Sequence, residues 1–255
     1  SPQDSAAIEK FIAGSQKPIL IVGMNAFRRE DGLAVHDALL TLCAKNNMMF
    51  NMLHSAAARV GALDIGFTHQ GGFDADDMAF VWLLGADDFD TSALPAKAFV
   101  VYQGHHGDKG AARADVILPA AAYTEKDGLY VNTAGRVQMA KKAVDAPGDA
   151  REDWRILRAL SAVIGRPLPY DDLYALRSRI FKEYPYLAQI DALPQDTAAP
   201  FGAGGKPSPA SFTLSNGNYY LSNAICRASE TMQECAKAFA GSCAPSVCTK
   251  NKAAA

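Results

Sequence analysis

Short apolar runs alternate with amphipathic stripes along this chain. Lys17 to Gly23 reads KPILIVG, a brief β-branched run closing on glycine, the pattern of a buried parallel strand. Met48 to Leu53, Ala79 to Gly85, Ala98 to Tyr102 and Asp115 to Pro119 repeat that strand pattern. Between the first two runs, Leu33, Val35, His36, Leu39, Leu40 and Cys43 recur near helical period and predict a helix over about 33–45. Ile8, Phe11 and Ile12 predict a shorter helix over 5–16, with Asp4-Ser5 as its cap. Strand, helix, strand is the βαβ unit, so the expectation is an α/β protein with a doubly wound, mostly parallel sheet and a helical C-terminal extension.

The second half is helical. Trp154, Ile156, Leu157, Leu160, Val163 and Ile164 give the stripe of a helix from Arg151 to Ile164, with Asp149 as cap and Gly165 as stop. Leu173, Leu176, Ile180 and Phe181 give another from about Tyr170 to Tyr184, ended by Pro185. Pro194, Pro200, Pro207 and Pro209, with Gly202, Gly204 and Gly205, mark a linker. A continuous helix from Ser222 or Asn223 to about Ala240 follows, with Ile225, Ala228, Met232, Cys235, Ala236 and Phe239 on one face. The expected organisation is an incomplete α/β domain over 1–190, a linker over 191–221, and a helix with a frayed tail over 222–255. The glycine-rich stretch from Ala56 to Asp77 and the segment Gly104 to Gly110 are expected to be loops at strand ends, where such folds place ligands.

Composition narrows the function classes. A formal net charge of -2 argues against a nucleic-acid footprint. No apolar run approaches the roughly 20 residues that span a bilayer. The leading SPQDSAAIEKF has neither the apolar core of a signal peptide nor the arginines of a transit peptide. Of five cysteines, four lie from Cys226 onward with no paired spacing, which fits a reducing compartment.

Each stretch with chemical potential has a plainer reading. His105-His106 with Asp108 carries metal-ligand residue types, but it lacks a helical pair or a CxxC. A loop shaped by glycines is the better reading. GAGGK at 202–206 imitates a phosphate loop, yet Pro207 stands where Ser or Thr is needed. Val22 to Ala26 holds one glycine where a dinucleotide fingerprint needs three. Cys226 and Cys235, nine apart on one helix, face opposite ways and do not pair. Cys243 and Cys248 fall in the tail and could pair with each other, but free thiols without a role are the better reading. Asp87-Asp88 and Asp171-Asp172 read as solvated or capping acids. No nucleophile elbow is present. Catalytic, cofactor-binding and metal residues are therefore all assigned as none.

The stretch 114–138 does carry a resemblance. Ala114-Asp115-Val116-Ile117-Leu118-Pro119, Glu125-Lys126-x-Gly128 and Asn132-x-x-Gly135-Arg136-x-Gln138 resemble the signature of the molybdopterin oxidoreductase fold. In enzymes of that fold the region helps hold a pterin. Here Leu129 replaces a usual Thr, Ala134 replaces a usual Glu, and GHHGDKG takes the place of a cofactor-contacting segment. Tyr102 to Asp108 (YQGHHGD), Leu53-His54, Ala62 to Gly66, Leu83 to Asp87, Ala150 to Trp154 and Arg227-Ala228-Ser229-x-Thr231-Met232 with Cys235 resemble, more narrowly, the C-terminal part of the 75-kDa iron–sulfur subunits of respiratory complex I. That resemblance covers roughly residues 8–240. It implies a non-catalytic structural and assembly part of the peripheral arm of NADH:ubiquinone oxidoreductase, on the matrix side of the mitochondrial inner membrane. It implies no cofactor in this chain, with iron–sulfur clusters and FMN in partner chains. It further implies partnership with other peripheral-arm subunits, above all one carrying the cluster-binding part, and a subunit split into two polypeptides. The alternative is the C-terminal half of a pterin-binding oxidoreductase. An independent nucleotide-binding module is the least favoured.

Overall fold

A computed structural model describes residues 2–68, 78–88, 90–193, 205–212 and 218–239. The chain divides into two compact units. The first comprises Ser1–Thr68, Gly128–Ala140 and Arg177–Ser215, the second His69–Asp127, Lys141–Leu176 and Asn216–Ala255.

In the first unit, helix α1 (Pro2–Ala13) precedes strand β1 (Ile19–Gly23), and helix α2 (Gly32–Lys45) leads to β2 (Met49–Leu53). β1 and β2 pair in parallel, with Ile19 opposite Met49 and Gly23 opposite Leu53. This is the predicted βαβ unit. α1 starts three residues ahead of the expected start at residue 5, with Pro2 at its first position, where its missing N–H costs nothing. His36 of α2 is buried, edge-on to Phe27 and Phe50 at 5.3 and 5.4 Å. Helix α3 (Arg59–Asp64) lies where the sequence reading has a loop.

An antiparallel hairpin completes this unit, β6 (Gly128–Val131) with β7 (Val137–Ala140); the strands between β2 and β6 along the chain belong to the second unit. Asn132, whose Oδ1 accepts from the Ala134 and Arg136 amides, and Gly135 at φ 76° make its turn. Val131, Val137 and Leu187 form the unit's core, with Val60, Ile180 and Phe181 packed against them. A Cβ placed on Gly61 would meet the Val131 side chain at 3.4 Å, so α3 sits close to β6. Residues 207–212, inside the expected linker, are bound to the start of α2. Arg29 pairs with Asp31, donates to the Ala210 and Ser208 carbonyls, and lies 4.5 Å from the Phe212 ring centre.

The second unit is built on β3 (Phe80–Leu84), β4 (Phe99–Gly104) and β5 (Val116–Pro119), all parallel with β4 central. Val81, Leu83, Val100 and Tyr102 share one face and join Leu94 and Ala98 in a buried cluster. Trp82 and Leu118 occupy the other face and line an apolar cleft of about 720 Å³ with Trp154, Ile156 and Leu160 of α5 (Asp153–Val163). Helix α4 (Lys109–Arg113) follows the loop after β4. α5 begins two residues later than expected. Its N-cap is Glu152, not Asp149, because Arg151 is held in a bridge to Ala120. Helix α6 (Leu173–Glu183) passes from the second unit into the first at Arg177.

The C-terminal helix is not continuous. It forms α7 (Ala224–Ala228) and α8 (Glu230–Ala238), separated by Ser229 in an extended conformation at ψ 120°. The Ser229 hydroxyl caps the second helix by accepting from the Met232 amide. The fold class is therefore α/β with parallel strands, as expected, but its parallel strands fall into a two-stranded and a three-stranded sheet.

Candidate functional site

β4 is the most buried strand described, and its carboxyl end carries a polar network. Tyr102, 2% exposed, places its hydroxyl 2.6 Å from Asp87 Oδ2 and 2.8 Å from the His106 carbonyl. A phenol has one proton to donate, and the carboxylate is the stronger acceptor. Burial, then the bond to Asp87, pushes the Tyr102 pKa up from its ordinary value. The other oxygen of Asp87 accepts from the Gly110 amide at 2.8 Å. So Asp87 ties together β4, the loop and the first turn of α4.

Gln103 is fully buried. Its Nε2 donates to Asp153 Oδ1 at 2.8 Å, and Asp153 also pairs with Lys126. The Gln103 Oε1 has no partner among the described residues. Turning the amide over would set that oxygen against the Asp153 carboxylate, so the orientation is fixed by charge.

His105 and His106 face each other with their Nδ1 atoms 2.6 Å apart, so one ring donates and the other accepts. The His105 pKa lies below its ordinary value. Burial is the larger cause, then the charges of His106 and Lys126, opposed by Glu125 and Asp153. The residue as a whole is nevertheless exposed. Asp108, the third member of the candidate metal set, is paired with Arg227 instead. Among the described residues, no group of three or more His, Cys, Asp or Glu side chains is placed to hold a metal ion.

The other candidates disperse. Gly23 ends β1 at φ -68°, with nothing near its open side, so that turn does not need glycine. Asp171 pairs with Arg158 at 2.6 Å, and Asp172 accepts from the Ala175 amide. Glu125 accepts from the Ala122 amide at 2.9 Å and closes a turn. The helix break at Ser229 removes the continuous-helix argument for Cys226 and Cys235, and both are free. Cys43 is buried, which raises its thiol pKa. The first three residues of GAGGK, 202–204, lie outside the described residues, as do His69, Cys243 and Cys248. The functional reading of residue types missed Gln103 and Arg227. A lone polar residue ending an apolar strand was the available signal for the first.

Residues 5–163 match the family model described as molybdopterin oxidoreductase, and residues 187–235 match the model for the C-terminal region of the G-type subunit of NADH-ubiquinone oxidoreductase. The first match covers more than half of the chain, and the chain belongs to the molybdopterin oxidoreductase family. It is 44% identical over 236 residues to NADH dehydrogenase (ubiquinone) iron-sulfur protein 1, mitochondrial, of Solanum tuberosum, covering 88% of this chain and 32% of that protein. It is 40% identical to the NADH-ubiquinone oxidoreductase 78 kDa subunit, mitochondrial, of Neurospora crassa, covering 92% and 35%. The NADH-ubiquinone oxidoreductase 75 kDa subunit of Reclinomonas americana is 39% identical, with 90% and 35% covered. The chain thus spans about a third of the length of these relatives.

The family implies a pterin cofactor, and the edge after β4 does not fit one. Glycine lets a ligand approach the backbone only if its open side is free. A Cβ on Gly104 would meet the Tyr102 side chain at 2.3 Å. One on Gly110 would meet the Ala86 carbonyl oxygen and Asp87 Oδ1 at 2.8 Å and Tyr102 at 2.9 Å. The chain's own atoms fill both spaces, and Gly107 alone of the three has an open side.

Proposed function

We propose that this chain is a non-catalytic structural and assembly part of the peripheral arm of respiratory complex I. In this role it packs around the part of the subunit that carries iron–sulfur clusters and supports NADH-to-ubiquinone electron transfer without taking part in it. Its partners are other peripheral-arm subunits, and its place is the matrix side of the mitochondrial inner membrane. Clusters and FMN belong to partner chains. The observation that carries this reading is the similarity to complex I subunits over about nine-tenths of the chain.

The burial pattern supports it. On one face of the β1–β2 sheet Ile19, Ile21, Met49 and Leu53 are 48–54% exposed. Parallel sheets are normally covered on both faces. The cluster-bearing part of the subunit is the occupant proposed for that face.

The test is to solubilise native membranes in mild detergent and follow the chain on a native gel. Co-migration with NADH dehydrogenase activity and a cysteine-rich chain is expected. A small species carrying molybdenum, without those partners, would instead establish the pterin-enzyme reading.

A further inference from the structure

The C-terminal segment reaches back to the edge after β4 through one side chain. Arg227 of α7 pairs through Nε with Asp108 and through a terminal nitrogen with Asp88 at 3.0 Å. Arg227 and Asp108 are only 25% and 20% exposed, against 72% for Asp88. The same guanidinium donates to the Leu221 carbonyl at 3.3 Å. Three acceptors thus surround it in the fixed fork geometry that a lysine cannot match.

Within its described residues the segment also makes bonds of its own. Asn218 accepts from the Tyr220 amide and Asn223 from the Cys226 amide, each at 2.9 Å. Gln233 donates to the Arg227 carbonyl at 2.8 Å, which joins α8 to α7 across the Ser229 break. Tyr220 and Phe239 stack at 5.7 Å. These bonds fold residues 218–239 on themselves, and none of them attaches the segment to the sheet.

We propose that residues 218–239 form a strap latched onto the sheet by Arg227, and that Asp108 with Asp88 is a guanidinium site which the chain fills itself. The opposite side of that edge is already closed by Tyr102, Asp87 and Gly110. The latch completes the closure from outside. An edge where this fold class admits ligands is thereby converted into an attachment point for the chain's own C-terminal segment. The proposal stands on this unit's geometry alone and does not rest on the complex I assignment.

Hydrogen exchange of the full-length chain, read by mass spectrometry, tests it. Charge-assisted bonds to a partly buried guanidinium set the scale. Arg227→Ala should speed exchange across 224–238 by about ten- to hundredfold while 99–104 stays protected. Arg227→Lys should recover only part of the protection. Millimolar ethylguanidinium should restore protection to Arg227→Ala but not to an Asp88→Ala, Asp108→Ala double variant. Unchanged exchange at 224–238 in Arg227→Ala would overturn the latch. Loss of protection at 99–104 would also overturn it, making Arg227 a core residue of the sheet. Failure of ethylguanidinium would overturn the guanidinium site.

Discussion

The two parallel sheets of this protein use similar sequences to opposite ends. In β3–β5 the central strand is sealed on both sides: Val100 and Gln103 have no exposed surface, and Tyr102 has 2%. In β1–β2 no residue is buried, and Ile19, Ile21, Met49 and Leu53 keep about half their surface in water. ILIVG and FVVYQ each hold four hydrophobic residues in five, and the buried strand is the one that also carries a Gln. What differs is cover. The three-stranded sheet has α5 on one face and a cluster with Leu94, Ala98, Ala111 and Ala114 on the other. The two-stranded sheet has α2 on one face, where His36 meets Phe50, and an opposite face that is apolar except for Asn51, whose side-chain amide donates to the Thr133 carbonyl at 3.1 Å. Covering that face would add about 1–1.5 kcal/mol for each half-exposed aliphatic side chain. The β1–β2 face thus keeps apolar surface for the partner proposed above, whereas β4 already has its cover within its own unit, although Phe80, Val116 and Ile117 of the flanking strands stay exposed.

The largest expected effect contrasts equivalent truncations. Leu83→Ala, in the sealed sheet, should destabilise the free chain by about 2–5 kcal/mol in denaturant unfolding. Ile21→Ala, on the open face, should cost less than about 1 kcal/mol there. Equal costs would erase the distinction between the sheets.

A smaller effect is expected at the closed edge. Tyr102→Phe leaves the buried Asp87 carboxylate short of a donor and should cost about 1–3 kcal/mol. Gly110→Ala forces a methyl against the Ala86 carbonyl and should cost a similar amount, about 1–3 kcal/mol. A neutral Gly110→Ala in thermal melts would mean that the edge has room after all.

The smallest effect is a pH response, with one histidine in each unit. His54 and His105 both lie below the ordinary value of 6.5, in each case mainly through burial. As pH falls, the unfolded chain takes up protons first. The stability these neutral rings contribute is therefore complete above 6.5 and is lost as pH falls through the lower folded values. His105→Gln should flatten the loss of protection in 99–104 between about pH 7.5 and 5.5, and His54→Gln should do so for 49–53. A steeper response in either variant would reverse the sign of the assignment.

Much of this was legible in the chain. Short apolar runs, two of them closing on glycine, located five of the seven described strands, since a parallel buried strand has no polar alternation to obscure it. The β6–β7 hairpin was missed because Gly128-Leu129-Tyr130-Val131 is short and weakly alternating, although Asn132 and Gly135 are turn residues. α3 and α4, six and five residues long, were read as loops because neither completes two turns and a stripe cannot show. The break at Ser229 was hidden by an apolar stripe that continues through it. Ser229-Glu230, a cap followed by an acid, was the local signal. At the edge after β4, the motif YQGHHGD stood out, but its roles did not. Tyr102, Asp87 and Gly110 meet only in three dimensions, and Arg227 lies 119 residues from its partner Asp108.

The proposal to be tested is that the β1–β2 face is covered by an assembly partner, while strand β4 from Val100 to Gly104 is already buried within its own unit. Hydrogen exchange measured on the free chain and on the native membrane assembly tests it most directly. The account predicts that 19–23 and 49–53 exchange fast in the free chain and become protected in the assembly, while 99–104 is protected in both. Equal protection of 19–23 and 49–53 in the two states would contradict it.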